Sequence, residues 1–294
     1  MKKILFILFA IILLTIGILY YIDSQPPALN QPLIPEENEE ELMEETEPIQ
    51  DDQDEVEETA EEENSFSERL SHVVKDTFGR IFQREVKIVA IGDSLTRGVG
   101  DTTNSGGYVG ILERSLNQEE EIATFENFGI PGNRTDQLLI RLGQPEIIEA
   151  LEEANIVLVT IGANDIMEVA KENITNLEIK DFIQEHSDYE ERLEEILETL
   201  SDINSNADIY LLGIYNPFER YFQDIEELNQ IVNTWNETGS SLANEMDNIT
   251  FIPIIDLFAG NEDPIFADDN FHPNYAGYYL MAERVLDYIS REEG

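Results

Sequence analysis

Apolar positions follow two periods along most of this chain. Five short runs rich in branched residues, 86–91, 123–127, 156–161, 209–212 and 250–253, read as strands. Between and after them, at 108–117, 135–150, 189–204, 225–244 and 275–291, apolar residues return every three or four positions, the spacing of an amphipathic helix. Strands that are apolar nearly throughout are covered on both faces, so the alternation predicts an α/β fold with a parallel sheet between helices. A further helix is expected at 65–83, where Phe66, Leu70, Val73, Val74, Phe78, Ile81 and Phe82 fall close to helical spacing. In a doubly wound sheet ligands bind beyond the carboxyl ends of the strands, so chemistry is sought just after each strand.

Before residue 65 the pattern is different. Lys2-Lys3 precede an uncharged apolar run from Ile4 to Tyr20. At ~1.5 Å per residue such a run crosses most of a ~30 Å hydrocarbon layer. Tyr20-Tyr21 stand where aromatic side chains anchor at the interface, and no small-x-small cleavage signal follows. Residues 1–23 therefore read as a transmembrane signal-anchor, with a cleaved signal peptide, and so a secreted protein, as the alternative. Its positive charges precede it, which leaves the amino end in the cytoplasm and exports the remainder. Residues 24–64 are Pro-rich and then acidic, with no Lys or Arg between Lys3 and Arg69, the composition of a disordered, self-repelling spacer. One domain, 65–294, remains.

Charge and cysteine usage narrow the function. Asp and Glu number 63 against 17 Lys and Arg, a net charge of -46, and the acidic excess persists beyond the spacer. Such a surface repels phosphate backbones, which argues against nucleic acid as a partner. The chain has no cysteine, so disulfides, thiolate nucleophiles and cysteine-based zinc sites are excluded.

The strand exits carry the candidate chemistry. After the first strand come Gly92-Asp93-Ser94-Leu95-Thr96-Arg97-Gly98, where Ser94 is either an exposed nucleophile at the start of a helix or a simple helix cap. A phosphate-cradling glycine loop fits poorly, because neither common glycine-lysine spacing is in phase with the strand. The last exit, Asp268-Asp269-Asn270-Phe271-His272-Pro273-Asn274, places a carboxylate three residues before an imidazole. Asp269, with Asp268 as its neighbour and rival, can accept the Nδ1–H of His272 and leave Nε2 free as a base. Of the other histidines, His72 lies in the leading helix and His186 falls in the stretch from Lys180 to His186, away from any strand exit, so both read as surface or helix residues. The middle exits, Asn127-Phe128-Gly129-Ile130-Pro131-Gly132-Asn133-Arg134 and Gly162-Ala163-Asn164-Asp165, offer donors: the Gly132 N–H and the Asn164 amide are suited to a developing oxyanion, though each alone is ordinary turn chemistry. Tyr215, Asn216, Pro217 and Phe218 follow the fourth strand and can line a pocket or cap the core.

These four blocks, in this order, make the chain from about Lys87 onward resemble the GDSL/SGNH hydrolase family, and in the stretch through Arg97 and Gly98 its lysophospholipase-like acylhydrolases. The resemblance implies a flavodoxin-like three-layer α/β/α sandwich around a five-stranded parallel sheet. It implies Ser94 as nucleophile, His272 as general base and Asp269 as its orienting partner. Ser94 N–H, Gly132 N–H and the Asn164 amide would form the oxyanion hole, with no metal or organic cofactor. Asp93, Leu95, Asp165, Tyr215, Asn216 and Phe271 are candidates for substrate contact. The expected activity is hydrolysis of a carboxylic ester, of a lipid or small molecule, at the outer cell surface. Removal of acetyl groups from cell-wall or capsular sugars is the alternative, and a non-catalytic glycan- or lipid-binding module the alternative of another class. The acidic spacer, the anchor and a candidate lid at 171–188 depart from the family pattern.

Overall fold

The computed structural model describes residues 86–118, 121–173, 178–216, 226–260 and 264–291. The expected anchor, the spacer and the leading helix at 65–83 lie outside the described residues, as do Pro217 and Phe218. Among the described residues no helix is long and apolar enough to cross a membrane.

Five strands form: β1 (Val86–Gly92), β2 (Ala123–Gly129), β3 (Ile156–Thr160), β4 (Asp208–Leu212) and β5 (Ile249–Ile252). They make one all-parallel sheet in the order β2-β1-β3-β4-β5, so the chain reverses its direction of travel across the sheet between β1 and β3. That order opens a crevice at the carboxyl ends of these two strands. The period-2 geometry of a strand divides its apolar residues between two cores. Val89, Ile91, Val157, Val159, Ile209 and Leu211 face one; Ile88, Ala90, Ile156, Leu158, Tyr210 and Leu212 face the other. Burying each Val, Leu or Ile among them contributes roughly 1.5–3 kcal/mol, which is why these strands read as apolar at nearly every position.

The first core is covered by α3 (Thr135–Arg141), α4 (Pro145–Glu153), α5 (Ala163–Glu172), α6 (Ile179–Ile203) and α7 (Glu226–Asn244), and the second by α2 (Gly107–Leu116) and α9 (Tyr275–Arg291). Two short helices, α1 (Ser94–Arg97) and α8 (Ile255–Phe258), fall at strand exits where periodicity is too brief to announce them. The helix expected over 135–150 is two helices. Leu142 caps the first, and Pro145, whose ring fixes φ and lacks an N–H, starts the second at its first position.

Of the candidate lid at 171–188, residues 174–177 lie outside the described residues. Residues 171–172 end α5 and 179–188 are the first turns of α6, a helix that the apolar pattern started only at 189. Phe182 is buried in the first core, and His186 packs edge-on against Trp235 with its Nε2 2.8 Å from the Thr238 hydroxyl. These contacts dock 179–188 onto the core. Across the other face, Arg284 of α9 reaches Pro253 O and both carboxylate oxygens of Asp256, which fixes α9 beside the β5 exit.

Candidate active site

Ser94 begins α1 directly after β1, and is 5% exposed. Its N–H is one of the first-turn amides that no helical carbonyl can satisfy. The helix is capped from the preceding residue: Asp93 Oδ1 accepts the Leu95 N–H at 2.9 Å. It ends after four residues because Gly98 takes the left-handed conformation (φ 81°) and returns its N–H to Ser94 O and Leu95 O. Asn127, in β2, braces this turn by donating to Thr96 O at 2.7 Å.

Asp93 itself is buried and bonded. Thr160 Oγ1 donates to it at 2.8 Å, and its carboxyl is pushed up to about 6: burial raises it most, against the Leu95 N–H, the Thr160 hydroxyl and the charge of His272.

The second exit is a turn, Ile130-Pro131-Gly132-Asn133, closed by Asn133 N–H to Ile130 O at 3.1 Å. Gly132 occupies its third position at φ 76°, a conformation that favours glycine, although a side chain there would meet open space. The turn is held from beneath. Arg141, only 8% exposed, donates to Asn133 Oδ1 at 2.5 Å and to Phe128 O at 2.5 Å. Asn133 O then accepts from Asn164 Nδ2 at 3.0 Å, which links the second and third exits.

His272 follows β5 in a loop folded around Asp269. One Asp269 oxygen accepts the backbone N–H groups of Phe271 and His272, both at 2.9 Å; the other lies 2.6 Å from His272 Nδ1. Asn270, at φ 50°, supplies the tight turn that makes this possible. Burial acts to raise the Asp269 carboxyl, but the hydrogen bond and charge of His272 and the two amides outweigh it and hold it below the usual carboxylate range. Asp268 makes no corresponding contact with the imidazole among the described residues. Two clamps fix the loop: Tyr215 Oη donates to Phe271 O at 2.5 Å, and Tyr278 Oη to Val99 O at 2.6 Å, in the turn after α1. Gly100 in that turn lies so near that a Cβ there would stand 2.8 Å from His272 Cβ. The α1 turn and the histidine loop therefore share one wall.

A small open cleft, about 260 Å³ including its mouth, is lined by Asp93, Ser94, Leu95, Ala163, Asn164, Tyr215 and Phe271. Four of the six positions expected to contact substrate are thus on it. Asp165 and Asn216 are not. Asp165 is 1% exposed, takes the Thr135 N–H and hydroxyl, and lies 3.4 Å from Arg192, so it anchors α3 and α6 behind the asparagine block; burial pushes it up to about 6. Asn216 is buried and donates to Asn229 Oδ1 at 2.6 Å. Ala163 lines the cleft without having been expected, since its only signal is adjacency to Asn164. Asn133, Arg141 and Thr160 support the site from positions that read as turn, helix surface and strand.

A model of the GDSL-like Lipase/Acylhydrolase family matches residues 90–280. The uncharacterized protein YpmR of Bacillus subtilis is 33% identical over 214 residues, covering 71% of this chain and 84% of that protein. The spore germination lipase LipC of Bacillus licheniformis is 27% identical over 213 residues, covering 68% and 94% respectively. Among solved structures, the lipase Lip_vut3 from a goat rumen metagenome aligns with a TM-score of 0.61 at 26% identity, over 68% of this chain and 95% of that one.

Proposed function

The chain belongs to the GDSL-like lipase/acylhydrolase family and is a carboxylic ester hydrolase, and from that premise we propose that it works through an acyl-serine at Ser94, with His272 as base and Asp269 as its orienting partner. The observation that carries this reading is the Asp269–His272 pair: a carboxylate that takes Nδ1–H fixes the tautomer in which Nε2 is the base. Ser94 Oγ attacks the ester carbonyl as Nε2 takes its proton. The tetrahedral oxyanion is met by Ser94 N–H, Gly132 N–H and the Asn164 amide. It collapses as the protonated imidazole gives its proton to the leaving alcohol, and water, deprotonated by the same nitrogen, then releases the acid.

A cleft this small, walled by Leu95, Ala163, Tyr215 and Phe271, suits the acyl part of a short- to medium-chain ester. It also accommodates an acetyl group, so sugar acetates of the cell envelope remain the second reading. Hydrolysis of p-nitrophenyl esters from acetate to long acyl chains decides between them: a steep maximum at acetate favours the second, a broader optimum at butyrate to octanoate the first, and no turnover of any ester by folded protein would defeat both.

Asn164→Ala is expected to lower kcat about 10²- to 10³-fold with little change in KM, the usual effect of removing one oxyanion donor. Steady-state kinetics on the best ester of that series would check it, and an unchanged kcat would remove Asn164 from the oxyanion hole.

The apolar run from Ile4 to Tyr20 and the charges before it support a single-pass anchor with the hydrolase outside the cell. Protease treatment of intact cells should then degrade the hydrolase while cytoplasmic markers survive; protection of the hydrolase would argue for the opposite orientation.

A further inference from the structure

We propose that Thr160 is a positioning residue for hydrolysis at Ser94, fixing the exits of β1 and β3 so that Ser94 N–H and the Asn164 amide face one oxyanion; this rests on the reading of those groups given above. Gly92 and Thr160 are the last paired residues of β1 and β3. From this rung Thr160 holds the residue before Ser94 at both ends. Its carbonyl accepts the Asp93 N–H at 3.1 Å, and its hydroxyl donates to Asp93 Oδ1 at 2.8 Å. That same carboxylate oxygen caps α1 through Leu95 N–H, so the hydroxyl of Thr160 bears on the orientation of the helix that starts with Ser94. Four residues later on the same strand exit stands Asn164. A Cβ on Gly92 would lie 2.1 Å from Thr160 O, so the two strands already sit as close as a glycine permits, with no slack in the rung.

The direction of the hydrogen bonds follows from the carboxylate. Because Thr160 gives its proton to Asp93, the Thr96 hydroxyl at 2.7 Å must donate to Thr160, and Tyr108 Oη, 3.4 Å from Thr96 Oγ1, is placed to donate to Thr96. The result is a one-way chain of hydroxyls ending on Asp93, with all four side chains at most 1% exposed. A packing role alone does not call for it. The preceding residues of β3 are Ile156, Val157, Leu158 and Val159, and valine would fill the space of Thr160 with the same branched shape. What threonine adds is the hydroxyl, and the hydroxyl is spent on Asp93.

The chain also bears on the charge beneath the nucleophile. Asp93 feels the charges of His272 from the β5 loop and Asp165 from α5, and its own charge adds to the burial that raises Tyr108 in α2, Tyr215 at the β4 exit and Tyr278 in α9. Burial raises the Asp93 carboxyl most, and the Thr160 hydroxyl acts with the Leu95 N–H against it, so without that donor Asp93 takes up its proton at higher pH.

Full-length Thr160→Val, Thr160→Ser and Ser94→Ala proteins, compared with wild type on p-nitrophenyl butyrate across the pH range, test this. Thr160→Val is expected to lower kcat about 10- to 100-fold, with KM changed less than about threefold. The acid limb of its kcat/KM profile should also move to higher pH. Thr160→Ser, which keeps the hydroxyl, should restore both to near wild type. Circular dichroism below the thermal midpoint establishes that each variant is folded, and Thr160→Ala replaces the valine variant if that one is not. Wild-type kcat and acid limb in a folded variant lacking the hydroxyl, or a serine variant as impaired as the valine one, would overturn the proposal. Wild-type activity in Ser94→Ala would instead overturn the nucleophile assignment, which separates the two failures.

Discussion

Ser94→Ala should lower kcat for ester hydrolysis by about 10⁴-fold or more while leaving the fold intact. The size follows from the loss of the covalent route: with no Oγ, only substrate binding and the oxyanion donors remain, and these support a small residue of catalysis over water. The second half of the expectation comes from the local structure. Asp93, not Ser94, supplies the side chain that caps α1, and Gly98 closes the helix at its other end. Alanine at Ser94 removes neither cap and is a better helix former than serine, so stability should stay within about 0.5 kcal/mol. The measurement is turnover of the preferred p-nitrophenyl ester together with a denaturant melt. Retained turnover in the variant would show that another group carries the reaction.

Asp269→Asn should be nearly as damaging, about 10⁴-fold in kcat, although it changes few atoms. An asparagine can still accept the Phe271 and His272 backbone N–H groups through its amide oxygen, so the loop is expected to keep its shape. Its NH₂, however, turns toward Nδ1 and selects the tautomer with the proton on Nε2, the nitrogen that must act as base. The pH dependence of stability supplies an independent check. Asp269 is held below the ordinary carboxylate range in the folded protein, so its contribution is fully present above its unfolded value. It is lost as pH falls through the lowered folded value. Wild type should therefore be more stable than the variant at neutral pH, and the gap should close in acid. A gap that is constant with pH, or kcat within tenfold of wild type, would count against Asp269 as the orienting carboxylate.

The sheet was legible because its strands are buried on two faces and read as apolar runs; each expected run lies within about two residues of an observed strand. The positions of Ser94, Gly132 and Asn164 beyond strand ends followed from that, whereas His272 stands farther from its strand, past α8. Breaks inside helices were less legible. The pattern over 135–150 stays amphipathic across Gly143 and Gln144, and only the backbone constraint of Pro145 divides it. The first turns of α6 were hidden by exposed Ile179 and Ile183, which dilute the periodicity that buried Phe182 supplies. Polar residues behind the cleft were least legible. Arg141 and Asp165 carry charges that ordinarily mark surface, and only the three-dimensional arrangement shows that their charges are spent on carbonyls, amides and hydroxyls inside the protein. Nothing in the order of residues distinguishes Asp165, which faces inward, from Asp93, which borders the cleft.

The clamp from Tyr278 to Val99 joins residues 179 positions apart, and the imidazole loop lies between the last strand and the helix that carries this tyrosine. During synthesis, then, the serine emerges well before the partners that would make it reactive. Because parallel strands pair only through distant contacts, the intervening intermediates are slow to close. A chain whose synthesis has not yet passed the imidazole loop thereby lacks the partners of its serine, and hydrolytic competence waits for that loop to dock against the α1 turn.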